Sequence, residues 1–295
     1  MASWGEATAV QKLGSKTYSC TFYDEWCIGS VPNGGYVTGC ILEVVSKHFS
    51  TSLARQNQPH TIALHVEFLR RTQAGPATFK IEEVKLGRQT SIVHVHVSQD
   101  GREEIIAYAT NSNMDTEDGV SFDTQYELYP RRPTVDFSKL ERNTDENWKW
   151  NSNMPFPTFR KATAKVKFHL PVSGQVLPSI ADQWVCFADG TNFTDSSIGF
   201  VADMFPQILE WHRNQKKSWY PTLLLNLDVK KTLPPEGVKW LGNRVQIKKL
   251  HKGRMDLEVH ILDAEGDIVA LSHHVALVVD ASRNLAERSG SDSKI

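Results

Sequence analysis

The stretch GGYVTGCILEVVSKHF, residues 34–49, is the clearest helix in the sequence, and it begins with two adjacent glycines. Its apolar residues recur at spacings of three and four, which predicts one buried stripe. A helix normally begins after a Ser, Thr, Asp or Asn cap, and glycine lowers helix stability. The glycine pair therefore indicates either a tight turn or a ligand that approaches bare N–H groups at the helix N-terminus.

Beyond this helix the periodicity changes to that of strands. Four segments alternate apolar and polar residues and are joined by turn residues such as Gly75-Pro76 and Asp100-Gly101. These segments are residues 60–70, 77–87, 90–99 and 104–113. Short connections favour an antiparallel meander, and a long helix followed by a meander predicts an α+β unit in which the sheet wraps the helix.

A second, similar unit follows a polar connection at residues 116–160, which we expect to run over the surface. It contains a helix candidate from Ser196 to about His212 and strand candidates at 164–170, 220–229, 239–249, 254–262 and 267–279. The strand that begins Gly87-Arg88 aligns with the one that begins Gly253-Arg254, which indicates a duplicated unit. The predicted division is a first unit at 15–115, the connection, a second unit at 161–280 and a flexible tail at 281–295.

The composition excludes several classes of protein. The chain has 295 residues, 40% of them apolar, and a formal net charge of −1, which is typical of a globular protein without a nucleic-acid or membrane partner. We find neither a membrane-spanning apolar run nor a signal-peptide pattern, and the four cysteines form no C-x-x-C pair, so we expect reduced thiols inside the cell. The last residues, Ser293-Lys294-Ile295, are close to the S-K-L address, so the expected location is the cytoplasm or the peroxisome.

Several segments of both halves together carry a resemblance to a known family. They are GGYVTGCILEVV, HVEFLRRTQAGPATFKIEEVKLGRQTSIVHVHVSQDGREEIIAYAT, FVADMFP, LNLDVKKTLPP and GDIVALSHHVALVV. The combination resembles the thioesterase-like superfamily, and within it the double-hotdog acyl-CoA thioesterase II type. The resemblance implies an α+β double hotdog, in which two helix-wrapped antiparallel sheets are joined in one chain. It also implies hydrolysis of an acyl-CoA to a free acid and CoA without a cofactor.

The resemblance also implies catalytic residues in the second half. The acid of the family matches Asp203, whose role would be general base or anchor of the attacking water. The hydroxyl position of the family falls on Asn226 and its glutamine position on His274. An imidazole there would donate to the oxyanion, hold the water or act as the base. Because both residues depart from the family pattern, two alternatives stay open: a lyase, cyclase or dehydratase on an acyl or polyketide-like substrate, or a non-catalytic acyl-thioester binding protein.

The first half supplies the expected substrate-binding residues. In a hotdog helix the N-terminal N–H groups face the thioester, so Gly34, Gly35 and Tyr36 would hold its carbonyl oxygen. We predict the N–H groups of Gly35 and Tyr36 as the oxyanion donors, with a turn-only role for the glycines as the alternative. His65 matches a histidine near the site of the family. Since Asp203 belongs to the other half, the active site is expected between the halves.

The remaining candidates have weaker signals. CoA phosphates require basic residues near strand ends, of which the candidates are Arg70, Arg71, Arg88, Lys230, Lys231 and Arg254. Aromatic residues that would shape an acyl tunnel or simply pack in the core are Trp184, Phe205, Trp211 and Trp219. His94 and His96 form an H-x-H pair on one strand face, but the sequence places no third ligand, so we predict no metal. The sequence leaves a monomer and a homo-oligomer equally open.

Overall fold

The computed structural model describes residues 2–205 and 217–286. Its α-helices there are α1 Trp4–Ala7, α2 Gly34–Thr51, α3 Phe137–Glu141, α4 Ile198–Ala202 and α5 Ser282–Leu285. None of the helices in these ranges is long and apolar enough to cross a membrane. The terminal Ser293-Lys294-Ile295 and residue Trp211 lie outside the described residues, so the peroxisomal address stays a prediction.

The strands of the two halves have the following bounds. The first half contains β1 Gln11–Lys12, β2 Thr17–Phe22, β3 Cys27–Ile28, β4 Val31–Pro32, β5 His60–Phe68, β6 Gly75–Lys85, β7 Ser91–Gln99 and β8 Arg102–Ser112. The remainder contains β9 Trp148–Trp150, β10 Val166–Pro171, β11 Ile180–Phe187, β12 Ser218–Trp219, β13 Thr222–Val229, β14 Leu241–Gln246, β15 Leu250–His251, β16 Arg254–Leu262, β17 Ile268–Leu277 and β18 Val279–Asp280.

One antiparallel sheet joins both halves. Its order is β1-β2-β6-β7-β8-β5-β13-β17-β16-β14-β11-β10-β9, with β15 paired to β16. This sheet curls around α2 and α4, whose buried apolar residues share one core with its inner face. The α+β double hotdog predicted from the sequence is confirmed.

The halves meet where β5 pairs with β13. His65 lies opposite Asn226. The pairs on either side of them, Leu64 with Leu227 and Val66 with Leu225, face inward. His65 and Asn226 also occupy equivalent positions in the sequence repeat, so this register gives the joint a local two-fold symmetry. The N-terminus of α2 lies beside the C-terminus of α4, where Gly35 contacts Asp203 and Gly199.

The second central helix is shorter than predicted. A short 3₁₀ turn at Asp195–Ser197 precedes α4, which ends at Ala202, and Asp203 is its C-terminal cap rather than an internal residue. Met204 and Phe205 are not helical. The expectation of one helix from Ser196 through this point is therefore wrong, and its part from 206 to 212 lies outside the described residues.

The connection between the halves is only partly a surface segment. It contributes α3 and the edge strand β9, and the side chains of Leu140 and Trp148 are fully buried. The Arg132 side chain is only 8% exposed, and its guanidinium lies over the rings of Trp148 and Trp184. The expectation that residues 116–160 run over the surface is wrong for this part, because the aromatic residues cover the second half of the sheet.

Candidate active site

Asp203 joins the two halves of the molecule. Its Oδ2 accepts hydrogen bonds from the Gly35 N–H at 2.8 Å and from Asn33 Nδ2 at 3.1 Å, while Oδ1 accepts from Thr222 Oγ1 at 3.2 Å. Burial raises the pKa of the carboxyl to about 6, and the hydrogen bond from Gly35 opposes that rise. The acid is thus held at the positive end of α2, ionised at neutral pH, and basic enough to accept a proton.

The structure explains why glycine occupies the first two positions of α2. A Cβ on Gly35 would lie 2.6 Å from the Asp203 Cβ and 2.8 Å from the Gly199 carbonyl oxygen. A Cβ on Gly34 would meet the Asp203 carboxylate at 3.1 Å. Gly35 is therefore required by the close packing of α2 against α4, and the group that approaches the bare backbone is the carboxylate of the protein itself.

The two predicted oxyanion donors are already engaged. The Gly35 N–H donates to Asp203, and the Tyr36 N–H donates to Asn33 Oδ1 at 2.9 Å, the usual bond of an N-cap. The prediction that both are free for a substrate is wrong in this structure. The Gly34 N–H is different, because no acceptor within residues 2–205 and 217–286 is hydrogen-bonded to it.

A cavity of about 290 Å³ opens beside this first turn of α2. Gly34, Asp203 and Thr222 are among the residues that line it. Its apolar lining includes Ile28, Val31, Phe68, Met204, Phe205 and Trp219. The cavity therefore combines an N–H donor and a carboxylate with apolar walls of the kind that bind small molecules.

His274 lies next to Asp203 but cannot serve as a cation. Burial lowers the pKa of its imidazole to about 3, with a further contribution from His273, so the ring is neutral near pH 7. Ser272 Oγ donates to the Asn226 carbonyl oxygen and so accepts from His274 Nε2, which assigns the proton to Nε2. The unprotonated Nδ1 then faces Asp203 Oδ1 at 3.6 Å. The expected role of His274 as a base that titrates near neutrality is wrong.

Asn226 and His65 lie on the opposite face of the sheet from the acid. Their neighbours Val66 and Leu225 point into the core, and strand alternation turns His65 and Asn226 outward, where His65 Nδ1 and Asn226 Oδ1 are 2.7 Å apart. His65 Nε2 also lies 3.3 Å from Glu67 Oε1. The structure therefore does not bring Asn226 or His65 into the cavity, and the hydroxyl partner of Asp203 is Thr222.

Two buried amides hold the turn that carries Asp203. Asn243 on β14 donates from Nδ2 to the Val201 carbonyl at 2.8 Å, and Gln183 on β11 donates from Nε2 to the Met204 carbonyl at 2.5 Å. The Asn243 bond adds to the Met204 N–H, which also donates to the Val201 carbonyl at 3.1 Å, and the Gln183 bond holds the Met204 carbonyl just beyond the end of α4. Sequence reasoning missed both residues because they lie on distant strands, whereas Asn33 is a recognisable N-cap before the glycines.

Of the remaining basic and aromatic candidates, some line the cavity and others lie elsewhere in the molecule. Arg70 and Arg71 line the cavity together with Arg160, which the sequence analysis did not select. The Arg71 guanidinium already donates to the carbonyls of Arg283, Asn284 and Ala286. The cavity lining does not include the basic candidates Arg88, Lys230, Lys231 and Arg254, or Trp184. Trp184 packs in a second cluster under the connection.

Comparison with known proteins gives consistent matches over most of the chain. The family profile of the acyl-CoA thioesterase N-terminal domain matches residues 22–112, and that of the C-terminal domain matches residues 132–278. The thioesterase-like protein TwmA of Talaromyces wortmannii is 33% identical in an alignment that covers 98% of this chain and 96% of TwmA.

Solved structures show the same fold at low sequence identity. An acyl-CoA thioesterase II, TesB2, from Mycobacterium marinum gives a TM-score of 0.63 at 17% identity, covering 95% of this chain and 100% of that one. A conserved protein with a hot dog fold from Alicyclobacillus acidocaldarius gives 0.74 at 16% identity, covering 94% and 98%. At these identities the likeness concerns the fold alone.

Proposed function

This chain belongs to the acyl-CoA thioesterase family, and on that premise we propose that it hydrolyses an acyl-CoA thioester to a free acid and CoA. The observation that carries the proposal is the shared site, in which Asp203 of the second half lies against the N-terminus of α2 of the first half and both line one cavity. Membership of the family supports thioester chemistry, and the geometry of Asp203 supports hydrolysis in particular.

The proposed reaction needs an aimed water and a donor for the carbonyl oxygen. Asp203 lines the cavity, and its carboxylate would hold the attacking water there. Asp203 takes a proton from that water as its oxygen attacks the thioester carbon, and the Gly34 N–H stabilises the oxyanion. Collapse of the intermediate breaks the C–S bond and releases CoA as a thiolate, which needs little assistance.

The cavity suggests how the substrate would lie. The acyl chain would contact apolar side chains such as Phe68 and Met204, which lie next to the carboxylate. Arg70 and Arg160 line the same cavity and would face the phosphates of CoA. In this arrangement the thioester carbonyl would reach the Gly34 N–H beside Asp203.

A second candidate function follows from the pair formed by Asp203 and His274. Burial moves the two pKa values apart, to about 6 for the carboxyl and about 3 for the imidazole. Near pH 7 the Asp203 carboxylate can remove a proton at carbon and return it without water, while the neutral imidazole beside it only accepts a hydrogen bond through Nδ1. A lyase or dehydratase reaction on an acyl thioester is therefore the alternative, and a non-catalytic binding protein is the third outcome of the test.

The test is a thiol-release assay with short, branched, aromatic and long acyl-CoAs. We expect wild-type turnover on at least one substrate, and Asp203→Asn to lower it by about 10²–10⁴-fold, the usual contribution of a general base. Circular dichroism checks that the variant is folded. Products other than acid and thiol in mass spectrometry would favour the second candidate, and binding without turnover across the panel would overturn hydrolysis.

A further inference from the structure

A cluster of potential metal ligands lies on the outer face of the first half of the sheet, on the side away from the helices. Strand alternation on β7 buries Val93, Val95 and Val97 and turns His94 and His96 outward. Glu82 on β6 pairs directly with His94 in the sheet register. One ligand atom from each of Glu82, His94 and His96 lies within 4.8 Å of the other two. The structure thus supplies the third ligand that the sequence could not place.

The two imidazoles present the atoms that a metal would bind. Nε2 of His94 and Nε2 of His96 are both buried from solvent, and neither has a hydrogen-bond partner among the described residues. Buried polar atoms nearly always have a partner, so two such nitrogens side by side need an explanation. The rings are 4.0 Å apart, and His94 also stacks on Tyr108 at 4.3 Å.

The neighbouring carboxylates complete the arrangement. Glu103 on β8 is hydrogen-bonded to Nδ1 of His96, which fixes the proton on that nitrogen and leaves Nε2 as a free lone pair. A carboxylate behind a ligating histidine is the usual support of a metal site. Glu82 Oε1 pairs with Lys80 at 3.1 Å, while Oε2 faces His96 Nε2 at 3.8 Å.

We propose that Glu82, His94 and His96 bind one divalent transition metal ion, with Zn²⁺ as the best match to two imidazoles and one carboxylate. Three protein ligands leave the fourth tetrahedral position of Zn²⁺ to water. Harder ions such as Mg²⁺ favour oxygen ligands and do not match this set. Glu103 positions His96 and does not touch the ion.

The second half offers a matched control. In the repeat, Glu82, His94 and His96 correspond to Arg244, His260 and Leu262. Arg244 there forms two hydrogen bonds with the buried Asp182, at 2.8 and 2.7 Å. In the second half, Arg244 and Leu262 thus replace two of the three proposed ligands. His260 is the equivalent of His94 on a strand where the other two ligands are absent, so it serves as the control.

The experiment is calorimetric titration of the full, tag-free and metal-stripped chain with Zn²⁺, repeated with Co²⁺ and followed by visible absorption. We expect one ion per chain in the wild type, loss of binding in His94→Ala and His96→Ala, and no change in His260→Ala. Glu103→Gln should weaken binding by about 10–100-fold, the usual effect of losing such a support.

Two results would overturn the proposal. One is the absence of saturable Zn²⁺ binding to the wild type. The other is binding that survives substitution of both His94 and His96, because the ion would then lie elsewhere. Circular dichroism establishes that each variant is folded, and Glu103→Gln, which preserves shape, separates loss of ligation from loss of structure.

Discussion

The two halves repeat one sheet but use their helices differently. In the first half α2 has 18 residues and contributes its N-terminus, whereas in the second half α4 has 5 residues and contributes the acid that follows it. The pairing of β5 with β13 brings these two opposite helix ends together. The joint therefore has the symmetry of the repeat, while each half contributes a different part of the candidate active site.

The largest effect on the free energy of unfolding should come from Asp203→Asn, which removes the carboxylate that the second half places against α2. The pKa of Asp203 is about 6 in the folded protein, against an ordinary value of 3.8 in the unfolded chain. The stability that comes from protonating the folded carboxyl is therefore complete below about pH 4 and is lost as the pH rises through 6. Relative to Asp203→Asn, the wild type should therefore lose about 3 kcal/mol between about pH 4 and pH 8. Urea unfolding of both proteins at several pH values measures this difference. A difference that stays constant with pH would contradict it.

The close contact between the helices can be broken at Gly35. Gly35→Ala places a methyl group against the Gly199 carbonyl and Asp203, and we expect a loss of about 2 kcal/mol together with a large fall in turnover. Gly34→Ala is the matched control, because its nearest neighbour is the carboxylate at 3.1 Å and no backbone atom. Thermal unfolding of the two variants makes the comparison, because Gly34 itself lines the cavity and its substitution would also change turnover. Equal effects at both positions would show that Gly35 is not the point of contact.

A smaller effect is expected when the turn after α4 loses its support. Asn243→Ala removes the side-chain donor to the Val201 carbonyl, which keeps the Met204 N–H, and should cost about 1 kcal/mol and lower turnover further than stability alone explains. Kinetics at a temperature well below the unfolding transition separate the two contributions. Turnover equal to wild type in the folded variant would show that Asn243 does not support the active site.

The smallest predicted effects compare the two faces of β13. Thr222→Val removes the hydroxyl donor to Asp203, and turnover should fall about tenfold, which corresponds to about 1.4 kcal/mol. Asn226→Ala changes the outer face and should leave turnover unchanged. Steady-state kinetics of both variants on one acyl-CoA measure this. A larger loss in Asn226→Ala than in Thr222→Val would restore the assignment made from the sequence.

The sequence predicted the helix, the meander and the duplication because each depends on local periodicity. Asn226 was assigned to the site because motif matching follows position along the chain. The face of the sheet that a side chain occupies is instead decided by the alternation along the strand. Thr222 was missed for a related reason, since the register shifts between Thr222 and Leu224 and interrupts the alternation. The end of α4 was missed because the turn that follows it is held by Gln183 and Asn243, which are distant in sequence.

The pH dependence of kcat/KM for thiol release tests most directly whether one site is made by the acid of one half and the helix terminus of the other. Because Asp203 must be ionised to act as the base, the rate should rise through about pH 6 to a plateau, and this ionisation should disappear from the residual activity of Asp203→Asn. A wild-type inflection near the ordinary carboxyl value, or an unchanged rate and profile in Asp203→Asn, would contradict the claim.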